Sequence, residues 1–161
     1  MMRRVSLMKI NEKVFLDIQP EKLWDVVVDI PVLAKCIPGV QEFTPEGDNV
    51  YVGTIQMKVG PLHVNFNGKI TVLSVDESNY TLKLQAEATD AHIGSRVKME
   101  EILSVKEEEE GSDFMIEANV NMHGKVAQLG FGLIRPKVKS TLRDFAKNLK
   151  DYMDKRNEQA G

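Results

Sequence analysis

A chain of 161 residues with 21 basic and 24 acidic side chains, net charge −3, has room for one domain with a real core and no global field for a nucleic acid partner. No window approaches the roughly 18 consecutive apolar residues that cross a bilayer, and a lone cysteine, Cys36, excludes an internal disulfide framework or a cysteine-based metal site. These features point to a soluble, cytoplasmic protein with one domain over residues 8–153 and flexible termini at 1–7 and 154–161.

The first predicted element is a strand from Lys9 to Ile18. Pro20 then sits where a first helical turn tolerates it and opens a helix to Val28, with Leu23, Trp24, Val27 and Val28 as its apolar face. Asp29-Ile30-Pro31 interrupts that helix, and a second short one over Pro31–Cys36 ends at Ile37-Pro38-Gly39. Six strands follow: Val40–Thr44, Val50–Val59, Leu62–Val75, Tyr80–Thr89, Ser95–Lys106 and Asp113–His123. Short turn-rich connections such as Gly60-Pro61 and Asp76-Glu77-Ser78-Asn79 favour an antiparallel meander. From Val126 to Met153, Leu129, Leu133, Val138, Leu142, Phe145, Leu149 and Tyr152 recur at helical spacing. Gly124, Gly130 and Gly132 lie in the opening turns of this helix, each costing about 1 kcal/mol against alanine in a helix interior. Pro136 is expected to kink or break it, which would let the front half move as a lid.

Period-two alternation assigns the concave face. Its inward sets include Tyr51, Ile55 and Met57; Val64, Phe66, Ile70 and Val72; Leu82, Leu84, Ala86 and Ala88; Val97, Met99 and Leu103; and Phe114, Ile116, Ala118, Val120 and Met122. Gly53, Gly68, Ala86, Ala88 and Ala118 are small residues among large ones, so the sheet either leaves a cavity or accommodates the long helix closely. Glu101 falls on the inward parity, where an unpaired carboxylate is costly. A β-bulge at Glu100-Glu101 that turns it outward, or a seat at the cavity mouth, is the expectation. The histidines, His63, His92 and His123, lack metal-ligand spacing, and none is expected to bind metal. Cys36 reads as a buried core thiol, and Arg135, Lys137, Lys139, Arg143 and Lys147 as a solvated cationic helix face that anionic lipid or an acidic partner could meet.

Specific words then narrow the family. Cys36-Ile37-Pro38-Gly39-Val40, Lys58-Val59-Gly60-Pro61 and Gly124-Lys125-Val126-Ala127-Gln128-Leu129-Gly130 resemble the CoxG family, the G component of carbon monoxide dehydrogenase, in the START-like (SRPBCC) superfamily. The resemblance implies an α+β helix-grip fold: a seven-stranded curved antiparallel sheet wrapped around a long C-terminal helix, with two short helices after the first strand. It also implies an apolar tunnel that carries a lipophilic molecule, a quinone such as menaquinone or another lipid, in the service of a molybdenum-containing hydroxylase such as carbon monoxide dehydrogenase. Members often add a C-terminal membrane segment; this chain stops without one, which counts against an anchoring role, leaves the ligand-binding role untouched and keeps peripheral membrane contact open.

The expected ligand-binding residues are Tyr51, Ile55, Met57, Phe66, Leu84, Met99, Glu101, Val120, Leu129 and Leu133, with access near the short helices and the Gly60-Pro61 hairpin. The expectation is a non-catalytic protein with no covalent cofactor. Two rivals stay open: an accessory docking or maturation factor, and a cyclase or hydrolase using Glu101 with Tyr51 or Arg96.

Overall fold

The computed structural model describes residues 5–160. The chain runs β1 (Val5–Leu16), α1 (Pro20–Val27), α2 (Ile30–Lys35), β2 (Val40–Gly47), β3 (Val50–Val59), β4 (Leu62–Asp76), β5 (Thr81–Asp90), β6 (Ser95–Glu108), β7 (Gly111–Gly124), α3 (Lys125–Gln128) and α4 (Phe131–Ala160). The strands form one antiparallel seven-stranded sheet in the order β1-β7-β6-β5-β4-β3-β2. Six sequential strands make a meander, and β1 closes onto β7. The ends differ from expectation: β1 starts at Val5, and α4 continues past Met153 to Ala160. Residues 1–4 and 161 of the expected flexible termini lie outside the described residues.

Local chemistry sets the elements. Pro20 occupies the first turn of α1, and the Asp29 carboxylate caps α2 by accepting from the Val32 N–H at 3.5 Å. One end of the sheet is pinned by two buried polar side chains. The Asp90 carboxylate accepts from the N–H groups of Asn65 (2.9 Å), His92 (3.1 Å) and Ile93 (3.4 Å), which hold it well below the usual carboxylate range. Ser95 Oγ accepts from Val126 N–H at 3.0 Å and seats α3 on the sheet. Gly124, at φ +80°, turns from β7 into α3 so close to Gly94 that a Cβ would meet its carbonyl oxygen at 1.7 Å.

The predicted long helix is therefore two. Its break falls at Gly130, with φ +74°, and not at Pro136, which lies inside continuous α4. A left-handed residue ends a helix outright, whereas proline in the second turn loses only one hydrogen bond near an end already short of partners. Gly124 and Gly130 are thus terminators, and only Gly132 sits within α4.

Inward side chains gather in two clusters. One contains Leu23, Trp24, Val27, Leu82, Phe114 and Leu149 beneath α1, α2 and the C-terminal half of α4; Phe114 and Phe145 meet at 5.3 Å and Trp24 stacks on Tyr80 at 5.3 Å. The other contains Met8, Val59, Val64, Phe66, Val120 and Val126 around α3 and the start of α4. Asn148 ties α4 to the end of α2 by donating to the Cys36 carbonyl at 2.9 Å.

Candidate functional site

Between the two clusters lies a cavity of about 420 Å³, within the range of small-molecule sites. Its floor is the concave face of the sheet, to which all seven strands contribute, its roof is α4 from Ile134 to Phe145, and α2 contributes Ile30, Leu33 and Ala34 at the side. The space comes from side-chain size. Gly53 pairs with Gly68 and Gly68 with Ala88, so a row of minimal residues crosses three strands where large ones would have met the helix. Of the two arrangements open to these small residues, a cavity or a closely seated helix, the geometry gives the cavity.

The lining is mostly apolar; its polar side chains are Thr54 on β3, Lys69 on β4, Glu87 on β5 and Glu101 on β6 in the floor, and Lys137 and Thr141 on α4 in the roof. The expected bulge at Glu101 is absent. Its register is unbroken on both sides, opposite Leu84 of β5 and Ala118 of β7, so strict alternation carries the side chain inward. Burial pushes its carboxyl up to about 7, because a charge there loses water and gains no compensating partner. The residue retains intermediate exposure although protein encloses it, since the surface it keeps faces the cavity.

Of the residues expected to bind ligand, Ile55, Met57, Phe66, Leu84, Met99, Glu101 and Val120 line the cavity, and Tyr51, Leu129 and Leu133 lie outside its lining. Tyr51 shares the face of Ile55 but stacks on Phe43 at 5.5 Å, and it is Phe43 that reaches the cavity. Leu129 lies at the α3–α4 break, packed against the second cluster. Leu133 is 43% exposed and covers the Gly60 turn, where a Cβ would touch its Cδ1 at 3.1 Å. The residues facing the cavity from α4 are Ile134, Lys137, Val138, Thr141, Leu142 and Phe145. Their signal is present in the sequence: Leu133 to Val138 is a step of five, which no helical face allows, whereas Ile134 to Val138 is a step of four. Lys137, assigned to the outer cationic face, turns inward, while Arg135, Lys139, Arg143 and Lys147 lie outside the cavity lining.

A larger trough of about 850 Å³ lies on the outer face across the same Gly53–Gly68–Ala88 row. Its walls carry Glu42, Lys69, Glu87 and Arg96, whereas the cavity beneath α4 is lined mostly by apolar side chains and is the stronger candidate for a small-molecule site. Cys36 is buried and its thiol is pushed up by that burial, an unreactive setting. Among the described residues no group of three or more His, Cys, Asp or Glu converges, and no helix is long and apolar enough to cross a membrane.

Comparison with known proteins places this geometry. The family model described as CoxG, the G component of carbon monoxide dehydrogenase, matches residues 13–154. No curated protein matches the sequence. Among solved structures, a conserved protein from Geobacillus kaustophilus is similar at 21% identity and a TM-score of 0.80, covering 92% of this chain and 96% of that one. The aromatase/cyclase ZhuI from Streptomyces sp. R1128 is similar at 12% identity and a TM-score of 0.62, over 97% and 99% of the two chains. Norcoclaurine synthase from Thalictrum flavum, solved with dopamine and hydroxybenzaldehyde, is similar at 15% identity and a TM-score of 0.58, over 94% and 88%. The architecture is the helix-grip fold of START-like proteins. Two of these relatives in fold are enzymes, which corrects the expectation of a non-catalytic protein: an apolar cavity in this fold is no ground for excluding catalysis.

Proposed function

The chain belongs to the CoxG family of carbon monoxide dehydrogenase components, and from that membership and the cavity beneath α4 we propose that it binds a lipophilic small molecule and carries it for a molybdenum-containing hydroxylase such as carbon monoxide dehydrogenase. Family and fold support a hydrophobic-ligand-binding or accessory role; the finer reading rests on the cavity itself. A space of about 420 Å³ lined by aliphatic and thioether side chains rewards apolar burial at about 25 cal/mol per Å² and offers little to a polar metabolite. A quinone, menaquinone among them, suits it, with the ring in the cavity.

A carrier of such a molecule must exchange it with a membrane, and one end of the protein has the chemistry for peripheral contact. From Asn119 to Arg143 there is no acidic residue, against Lys125, Arg135, Lys139 and Arg143 outside the cavity lining and Lys137 within it. Phe131 (53% exposed) and Leu133 project at the same end, beside the Gly60 turn. The acidic runs Asp76-Glu77 and Glu107–Glu110 are at the opposite end of the sheet. Cations around an exposed aromatic are what an anionic bilayer surface attracts. With one buried free cysteine, the cytoplasm is the compartment we assign.

Native mass spectrometry of freshly purified protein, followed by solvent extraction, tests the carrier. A stoichiometric quinone or lipid is expected. A clean apo mass that persists after incubation with menaquinone and fatty acids would sink the carrier and leave the accessory docking role, whose signature is co-purification with a molybdenum hydroxylase that survives cavity filling by Ala118→Phe.

A further inference from the structure

One polar group in the cavity has no structural role. Glu101 sits mid-sheet, opposite Leu84 and Ala118, and its neighbours on the same face of β6 are Met99 and Leu103. Among the described residues it has no hydrogen-bond or ion-pair partner. The charged groups that share the cavity wall are Lys137 of α4, Lys69 of β4 and Glu87 of β5, and Glu87 is paired with Lys98 at 3.5 Å. The elements β1, α2, β3 and β7 present no charge to the cavity. A carboxyl in such a setting costs stability and would be replaced by leucine at no loss to the fold. What it supplies is a single directed hydrogen-bonding group in an otherwise featureless space, which is how apolar pockets fix orientation and identity.

We propose that Glu101 is the recognition group of the cavity, and that it selects a lipophilic ligand bearing a hydrogen-bond acceptor, a ring carbonyl above all, to which the neutral carboxyl donates its O–H. The inference rests on the reading of the cavity as a lipophilic site and adds its selectivity. A neutral carboxyl has one donor, and the lining offers it no acceptor among its apolar neighbours; a ligand carbonyl supplies one. Ionisation removes the donor and turns a carboxylate toward the carbonyl oxygen, so binding and proton uptake are coupled. Burial already lifts the titration into the neutral range, and the ligand, by removing the last water, lifts it further. Such a site holds its cargo at low pH and loosens it as pH rises.

The test compares naphthoquinone with naphthalene, which share a ring frame and differ in the carbonyls, by titration from about pH 5 to about pH 9. For the wild-type protein, naphthoquinone affinity is expected to be level on the acid side and to fall by up to about tenfold per pH unit once Glu101 ionises. Glu101→Gln keeps a donor that does not titrate and gives a flat profile with the quinone still preferred. Glu101→Leu also gives a flat profile, and its preference for naphthoquinone over naphthalene drops about fivefold. If the leucine variant keeps the wild-type preference and pH profile, the assignment to Glu101 is overturned and the lipophilic cavity stands. If neither probe binds, or if binding is indifferent to Ala118→Phe, the lipophilic site itself fails and the assignment falls with it.

Discussion

Two halves of one concave face, built by the same alternation from the same kinds of residue, end in opposite states. Beneath α1, α2 and the rear of α4, Leu23, Val27, Leu82 and Leu149 have 0% exposure, with Trp24, Phe114 and Phe145 filling between them. Beneath the front of α4, Ile55, Met57, Val97 and Met99 point the same way yet keep accessible surface, and that surface is the cavity's. Hydrophobic patterning decides which side chains face inward; their volumes decide whether they meet. Three helices and bulky residues close one half, whereas short α3 and the front of α4 over glycine and alanine leave the other open.

The largest effect that tests this contrast is truncation on each side. Leu149→Ala removes a fully buried side chain where no neighbour can follow, and a loss of about 3–4 kcal/mol is expected in denaturant unfolding. Met99→Ala enlarges a space that already exists and should cost about 1 kcal/mol or less, since its side chain is only partly desolvated. Equal losses would mean that the cavity closes in solution.

Next in size is Glu101, the carboxyl of the cavity lining whose titration burial raises. The sign follows from proton counting. With a carboxyl raised to about 7 when folded against about 4.3 in an unfolded chain, the native state holds the proton longer, so stability falls as pH rises between those values and levels off above. Glu101→Leu should therefore add up to about 3 kcal/mol at alkaline pH and almost nothing below the unfolded titration. A gain independent of pH would show that the carboxyl titrates in the folded protein as it does in the unfolded chain. Among the described residues the buried polar side chain at the packed end is Ser112, which does not titrate, so no comparable pH dependence arises there.

Filling the cavity gives a third, smaller stability effect with a large functional one. Ala118 faces the space directly across from Glu101, so Ala118→Phe should change stability by no more than about 1 kcal/mol, because overpacking has room to be absorbed. Binding of an apolar probe should nevertheless be abolished. The same substitution at Ala146, which lies in the filled cluster and outside the cavity lining, is expected to cost about 1–3 kcal/mol by overpacking.

What the sequence makes legible follows the same division. The strand order, the inward parity and seven of the expected lining residues come from period two, which a regular sheet with short turns preserves. Alternation also places Glu101 inward; the expected bulge, which the structure lacks, follows from the rule that a buried unpaired carboxylate is too costly to keep. A cavity relaxes that rule, because the group retains space for water or ligand. The helix is harder. Its apolar phase reads as continuous from Leu129 to Tyr152, yet Gly130 at φ +74° resets it, and one residue of phase exchanges Leu133 for Ile134 and brings Lys137 indoors. Left-handed glycine and helical glycine are indistinguishable by residue type, so the break is visible only as the five-residue step to Val138.

The smallest prediction separates these glycines and tests whether the open half is kept open. Gly130 adopts φ +74°, and a Cβ placed on it would have nothing within 4 Å, so Gly130→Ala is opposed by backbone conformation alone, at about 1 kcal/mol. Gly132 also has nothing within 4 Å, but its φ lies outside the left-handed range and it sits in the first turn of α4. Nothing in the packing requires glycine there, and Gly132→Ala should raise stability by about 0.5–1 kcal/mol through helix propensity and a less free unfolded chain. Opposite signs in thermal unfolding are the expected result. Gly132 lies between the exposed Phe131 and Leu133, on the segment that joins the cavity roof to the surface we propose for membrane contact. A stabilised Gly132→Ala protein that exchanges naphthoquinone with anionic vesicles more slowly would link the residue to opening, and unchanged exchange would confine its effect to helix propensity.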